Sequence, residues 1–312
     1  MKTPRHLLAV LTVASAGLPS APAADPAPGS PAAASIEARR SLFSYDTGAK
    51  IAIQEGAPQS RGAATIRDIS FVSAPVQNPG RTAAYLVSPR AGRPLAAVLW
   101  VHWLGEPATT NRTEFLDEAV DLAGRGAVSL LVDGMWSKPG WYGGRKLEDD
   151  YASSVAQVIA LRRAIDLLLS QEGAGGIPLG IVGHDYGGMY ASIAAGVDSR
   201  AKTCVFIACT SSLLDWAFYG KQPASKEDYI RVNRPLELRE FVAATAGASI
   251  LFQYAEHDPY VPLARAQELF GAARAPKQMV VYGGADHGMF SPANIRGDRT
   301  EWLVRELGLR RQ

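Results

Sequence analysis

Between residues 64 and 310 the chain alternates two kinds of apolar pattern. The first is a short unbroken run. "LAAVLWVH" at 95–102 has the length of a strand and no polar alternation, as expected when both faces of a sheet are covered. "AVSLLVD" (127–133), "IPLGIVG" (177–183), "KTCVFIAC" (202–209), "ASILFQYAE" (248–256) and "KQMVVYGG" (277–284) read the same way. "ATIRDISFVS" and "RTAAYLVSP" come earlier and read as two further strands, an antiparallel start to the sheet.

The second pattern has helical spacing and falls between the runs. "NRTEFLDEAVDLAGRG" (111–126) predicts a helix with Asn111 as its cap, Glu114 three residues later, and Gly124 or Gly126 as its stop. "DDYASSVAQVIALRRAIDLLLSQ" (149–171) predicts a long helix with Asp149 and Asp150 at its positive end. "PLARAQELFGAA" and "RTEWLVRELGL" supply two more. Strands separated by helices imply an α/β architecture: a mostly parallel central sheet with helices on both faces.

Two segments break this rhythm. Residues 211–247 lie between two strands and exceed the length of one crossover helix. With Trp216, Phe218, Tyr219 and Tyr229 they read as a small lid over the strand ends. The loop "GMWSKPGWYGGRK" (134–146) is aromatic and glycine-rich and is expected to line the same cavity. In such sheets, ligands bind at the carboxyl ends of the strands.

The first 40 residues are different in kind. Lys2, Arg5 and His6 precede an apolar run from Leu7 to Leu18, with small residues around Ala23 suited to cleavage. Residues 1–24 therefore read as a signal peptide, which makes the expected location periplasmic or secreted. Residues 25–40 read as a disordered Ala/Pro-rich linker, and 41–312 as one globular domain. Losing Lys2 and Arg5 takes the net charge from +2 to zero. A neutral mature chain argues against electrostatic binding to nucleic acid or to an anionic membrane. Cys204 and Cys209 sit in an apolar strand-like run and are expected as buried free thiols.

The chemistry concentrates in "PLGIVGHDYGGMYASIAA" (178–195), a strand, a glycine-flanked turn and a helix of small residues. Gly183-His184-Asp185-Tyr186-Gly187 has the spacing of a G-x-S-x-G nucleophile turn, with Asp185 where the serine would stand. Such a turn exposes the central side chain and aims the next amide and the helix N-terminus at the same place. Asp258 in "EHDPYVP" and His287 in "GGADHGM" follow the next strands in the order nucleophile, acid, histidine.

On these motifs residues 64–310 resemble the α/β-hydrolase superfamily. The "GHD-aromatic-GG" form is similar to members with an aspartate nucleophile, the epoxide hydrolases and haloalkane dehalogenases. "VHWLGEP" is similar to their His-Gly-x-Pro segment, with Trp103 standing where the glycine would be. The resemblance implies Asp185 as nucleophile, Asp258 as orienting acid and His287 as general base. The substrate would be a small epoxide or haloalkane, hydrolysed through a covalent alkyl-enzyme ester. It implies no cofactor, and the spacing shows no metal-site signature. The compact layout and "HDPYVP" also resemble dienelactone-hydrolase-like esterases, so ester or lactone hydrolysis is an alternative. A third is a catalytically inactive binding protein, in which Asp185 is only a helix cap.

Trp103 and Tyr186 are candidates for binding an oxyanion or leaving group. His102, Trp136, Tyr142, Trp216 and Tyr219 are candidates for the substrate-binding wall, with His102 alternatively shaping the backbone after its strand.

Overall fold

The computed structural model describes residues 31–73, 80–105, 111–245, 247–274, 276–292 and 294–311. The expected signal peptide and residues 25–30 of the expected linker lie outside the described residues, as do Glu106 and Pro107.

The first helix, α1 (Pro31–Ser41), covers residues 31–40 of the expected linker. Its stretch is rich in alanine, the strongest helix former, with proline at the first position where the missing N–H costs nothing. Its end is tied down: Arg39 pairs with Glu240 at 2.7 Å, and just beyond it Phe43 meets Phe241 edge-on at 5.8 Å.

Among the described residues ten strands follow: β1 (Ile53–Glu55), β2 (Gln59–Arg61), β3 (Ala64–Val72), β4 (Arg81–Pro89), β5 (Ala96–Val101), β6 (Ala127–Val132), β7 (Leu179–His184), β8 (Ala201–Ile207), β9 (Ser249–Ala255) and β10 (Lys277–Tyr282). They form one sheet in the order β1-β3-β4-β6-β5-β7-β8-β9-β10, with β2 also on β3. The strands before β5 pair antiparallel, and β5 through β10 run parallel. The short β1 and β2 were not anticipated, because "IQE" and "QSR" are polar and exposed and carry no hydrophobic alternation.

Helices cover both faces: α2 (Leu116–Gly124), α3 (Trp141–Gly144), α4 (Asp150–Leu169), α5 (Tyr186–Val197), α6 (Leu213–Ala217), α7 (Lys226–Asn233), α8 (Leu238–Ala244), α9 (Leu263–Ala272) and α10 (Asn294–Leu307). Strand β5 shows why its run is unbroken. Ala97, Leu99 and Val101 pack with α4 and α5 on one side, while Val98 and Trp100 pack with α2 and α10 on the other. Both cysteines are free and buried. Of the expected 211–247 lid, α6 lies over the strand ends, with Trp216 against Tyr186 and His287, whereas α8 buries Leu238, Phe241 and Val242 against α5 and belongs to the helical layer on that face.

Candidate active site

The turn between β7 and α5 places Asp185 in a backbone conformation that side chains rarely adopt, φ 50° and ψ −115°. Two glycines make it possible. A Cβ on Gly183 would stand 2.5 Å from the carbonyl oxygen of Gly187, and one on Gly187 would stand 2.1 Å from that of Val101. Glycine is required where backbone meets backbone this closely, so the strand can deliver Asp185 and still turn into the helix. Strain of this kind, about 1–3 kcal/mol, persists only where the surroundings over-determine it. Here β7 is locked between β5 and β8, Asp185 N–H donates to Ile207 O at 2.8 Å, and Asp185 O accepts from Met189 N–H at 2.9 Å.

The two oxygens of the Asp185 carboxylate have different surroundings. Oδ2 accepts the Leu104 amide at 3.1 Å. Oδ1 has no hydrogen-bond partner and faces His287 Nε2, itself unpartnered, across 3.6 Å. Asp185 is fully buried and His287 nearly so. On the far side of the imidazole, Asp258 Oδ2 accepts from Nδ1–H at 2.7 Å. Asp258 Oδ1 accepts the amides of Tyr260 and Val261 at 2.8 and 3.0 Å. The structure thus brings together Asp185, Asp258 and His287, each from a different loop at the carboxyl end of the parallel strands.

Burial by itself would push the His287 imidazole down, but the two flanking carboxylates, Asp185 and Asp258, outweigh it and raise its pKa to about 9. Burial would likewise raise Asp258, yet His287 and the two amides hold it below its ordinary value.

Aromatic rings close the space around the trio. Trp216, Tyr260 and Trp103 lie 5.8, 5.0 and 5.9 Å from the His287 ring. Trp216 also packs on Tyr186 at 5.7 Å, and Tyr219 stands 55% exposed at the outer edge against Trp216 and Tyr260. Phe290, 59% exposed, edges onto Trp103.

Several expected residues have other work. The backbone of Trp103 does not face Asp185: its N–H donates to Glu114 Oε2 at 2.8 Å, and the next amide, that of Leu104, takes the place expected for it. The Trp103 indole Nε1–H is buried without a partner. Tyr186 N lies at the first position of α5, where helical amides lack an intrahelical acceptor.

His102 is not in the substrate-binding wall. Its Nε2 accepts Gly134 N–H at 3.0 Å and lies 2.8 Å from Ser137 Oγ, which leaves Nδ1–H to donate to Trp103 O at 2.8 Å. Burial brings its pKa down to about 4, so the ring is a neutral brace of the strand end. Trp136 is also internal, 1% exposed, with Nε1–H donating to Trp103 O at 3.1 Å and its ring stacked on Tyr190. The Tyr142 hydroxyl is held between the carbonyls of Trp216 and Tyr219 at 2.5 and 2.6 Å, where it braces the lid instead of meeting substrate.

The 134–146 loop therefore supports the lid from below. A cleft of about 600 Å³ between residues 145–151 and 221–233 is separate from the trio and lined by none of its members.

Sequence reasoning missed Leu104, which acts through its backbone and so leaves no side-chain signal. It missed Tyr260 although that residue stands in the quoted "HDPYVP". Glu114 was read as part of a capping box, but α2 begins only at Leu116, and the Glu114 carboxylate turns inward to His184 Nδ1 at 2.6 Å.

No protein-family model matches the chain, and no curated protein matches it in sequence. Solved structures do match its fold. The acetyl xylan esterase from Paenibacillus sp. R4 is 16% identical with a TM-score of 0.68, covering 87% of this chain and 93% of its own. Acetyl xylan esterase 1 from Thermoanaerobacterium sp. is 15% identical with a TM-score of 0.66 over the same shares. The 2,6-dihydroxy-pseudo-oxynicotine hydrolase is 21% identical with a TM-score of 0.57, covering 75% of this chain and 67% of its own. With the sheet order above and the turn at Asp185, these likenesses show that the chain has the α/β-hydrolase fold.

Proposed function

We propose that this chain is a hydrolase of small molecules in which Asp185 is the nucleophile and the covalent intermediate is an alkyl ester of its carboxylate. The observation that carries the reading is the asymmetry of that carboxylate: Oδ2 is held by an amide while Oδ1 is bare and faces an imidazole. In the first step Oδ1 attacks an sp³ carbon bearing a halide or an epoxide oxygen. The new C–O bond forms as the old bond breaks, and the leaving atom departs with the electron pair. We assign the unpartnered Trp103 indole N–H as the donor to the departing halide or alkoxide. An alkoxide then takes a proton from His287 or from water.

In the second step water attacks Cγ of the Asp185 ester and gives its proton to His287 Nε2. The negative charge of the tetrahedral intermediate develops on Oδ2, the oxygen already bonded to the Leu104 amide. Collapse breaks the Cγ–O bond to the alkyl group, His287 returns the proton to the leaving alcohol, and the new carboxylic acid passes its remaining proton to His287, which restores both the carboxylate and the imidazolium. The charge arrangement supports this order. While Asp185 is ionised, His287 is held as imidazolium. Once Asp185 is esterified its charge is gone, the imidazole loses one of its two carboxylate partners, and it becomes a base when a base is needed.

A second reading is favoured by the esterases among the similar structures. There Asp185 and His287 act on an ester or lactone, with Oδ1 either assisting water or forming a transient anhydride. The two separate in a single turnover with enzyme in excess in H₂¹⁸O. Alkyl-enzyme chemistry puts solvent oxygen into the Asp185 peptide and none into the first alcohol released. Base-assisted ester hydrolysis puts it into the product acid and leaves Asp185 unlabelled, while an anhydride opened at Cγ labels Asp185 only when the substrate is an ester or lactone. With haloalkanes and epoxides, His287→Ala should accumulate the ester on Asp185, and no adduct across a broad panel sinks the first reading. We also propose export, on the charged start and apolar run of residues 1–24; an unprocessed N-terminus on the cellular protein would refute it.

A further inference from the structure

Behind the trio lies a second, fully internal pair. His184, the last residue of β7, is 1% exposed, and its Nε2 lies 3.0 Å from the carbonyl oxygen of His287. A carbonyl only accepts, so Nε2 carries the hydrogen. Nδ1 lies 2.6 Å from Glu114 Oε1, and the other oxygen of Glu114 accepts Trp103 N–H at 2.8 Å. The Trp103 indole lies flat over the His184 ring, 5.3 Å away and 5° from parallel. At 2.6 Å the contact between Nδ1 and Oε1 is a hydrogen bond, with one hydrogen between them. Glu118 and Arg299, ion-paired with each other, face it across a cavity of about 30 Å³.

From this geometry we propose, resting on the reading of Asp185 above, that Glu114 and His184 are positioning residues that set the spacing of the Leu104 amide and the His287 imidazole about the Asp185 carboxylate. The two ends of the pair reach the two loops that matter. Glu114 holds Trp103 N–H, which turns the following amide, that of Leu104, onto Oδ2. His184 holds the backbone of His287, whose ring faces Oδ1. A water in the small cavity beside the pair could not reproduce both fixed contacts at once, so removing one end loosens both loops.

The test compares Glu114→Ala, Glu114→Gln and His184→Phe with wild type. Glutamine keeps an oxygen for Trp103 N–H and an N–H for His184 Nδ1, so it preserves the linkage without the charge. Two readouts need no substrate: the NMR titration of the His287 imidazole and hydrogen exchange at Leu104 N–H. The proposal expects Glu114→Ala and His184→Phe to move the His287 midpoint down, with Glu114→Ala also speeding Leu104 exchange relative to the β5 and β7 amides. Glu114→Gln should restore both. With a turned-over substrate, Glu114→Ala should lose about 100-fold in kcat with little change in KM, as a misplacement near 1 Å does. A folded Glu114→Ala whose His287 titration and Leu104 exchange match wild type overturns the proposal, whatever its melting temperature. So does uniform loosening of all strand amides. If no substrate is found, the activity reading fails while these two measurements still decide the positioning role.

Discussion

Replacing Asp185 by Asn removes one negative charge from beside His287 and keeps the size of the side chain. Its effect on the imidazole can be worked from the geometry. A unit charge pair at 3.6 Å gains about 4–5 kcal/mol at an effective dielectric of about 20. The carboxylate spreads its charge over two oxygens, and the Leu104 amide takes up part of it, so about 3 kcal/mol is a fair share for His287. At about 1.4 kcal/mol per pH unit, the midpoint should fall by about two units from its wild-type value of about 9. Asp258 still holds Nδ1–H at 2.7 Å, so the ring stays in place and the tautomer is kept. The assay is a pH series of ¹⁵N-resolved imidazole spectra on wild type and Asp185→Asn. A midpoint that stays where it was would show that Asp185 does not act on His287 through charge. The proposed release of the base on esterification would then fail, because esterification changes the same charge.

The same shift bears on stability. His287 rises from an ordinary 6.5 to about 9 on folding, so its contribution is complete below about 6.5 and is lost as pH climbs through 9. Urea midpoints should therefore fall over that window in wild type and fall less in Asp185→Asn. Asp258→Asn should lower kcat on the order of a thousandfold or more, by losing control of the His287 tautomer, with the fold intact by circular dichroism. Gly187→Ala should cost about 3 kcal/mol or more in urea unfolding, or fail to fold, since its Cβ would sit 2.1 Å from Val101 O. Tyr142→Phe should cost about 1 kcal/mol and speed proteolysis within residues 213–219, where the hydroxyl meets the carbonyls of Trp216 and Tyr219.

The sequence by itself determined the layers and the trio. Unbroken runs such as 95–102 could be satisfied only between two helical layers, and the glycines at 183 and 187 admit only the sharp turn that presents Asp185. Strand order then carried Asp258 and His287 to the same edge, because loops after parallel strands gather at one end. Tertiary structure alone decided the finer roles, since these depend on where a group's partners end up. His102, Trp136 and Tyr142 have the composition of a binding wall, but buried polar groups must find partners, and theirs are the carbonyls and amides of neighbouring loops. Leu104 acts through an amide that every residue but proline carries, and Glu114 found its partners 11 and 70 positions away. Such contacts are made by packing and have no period along the chain, so no pattern of apolar and polar positions could have announced them.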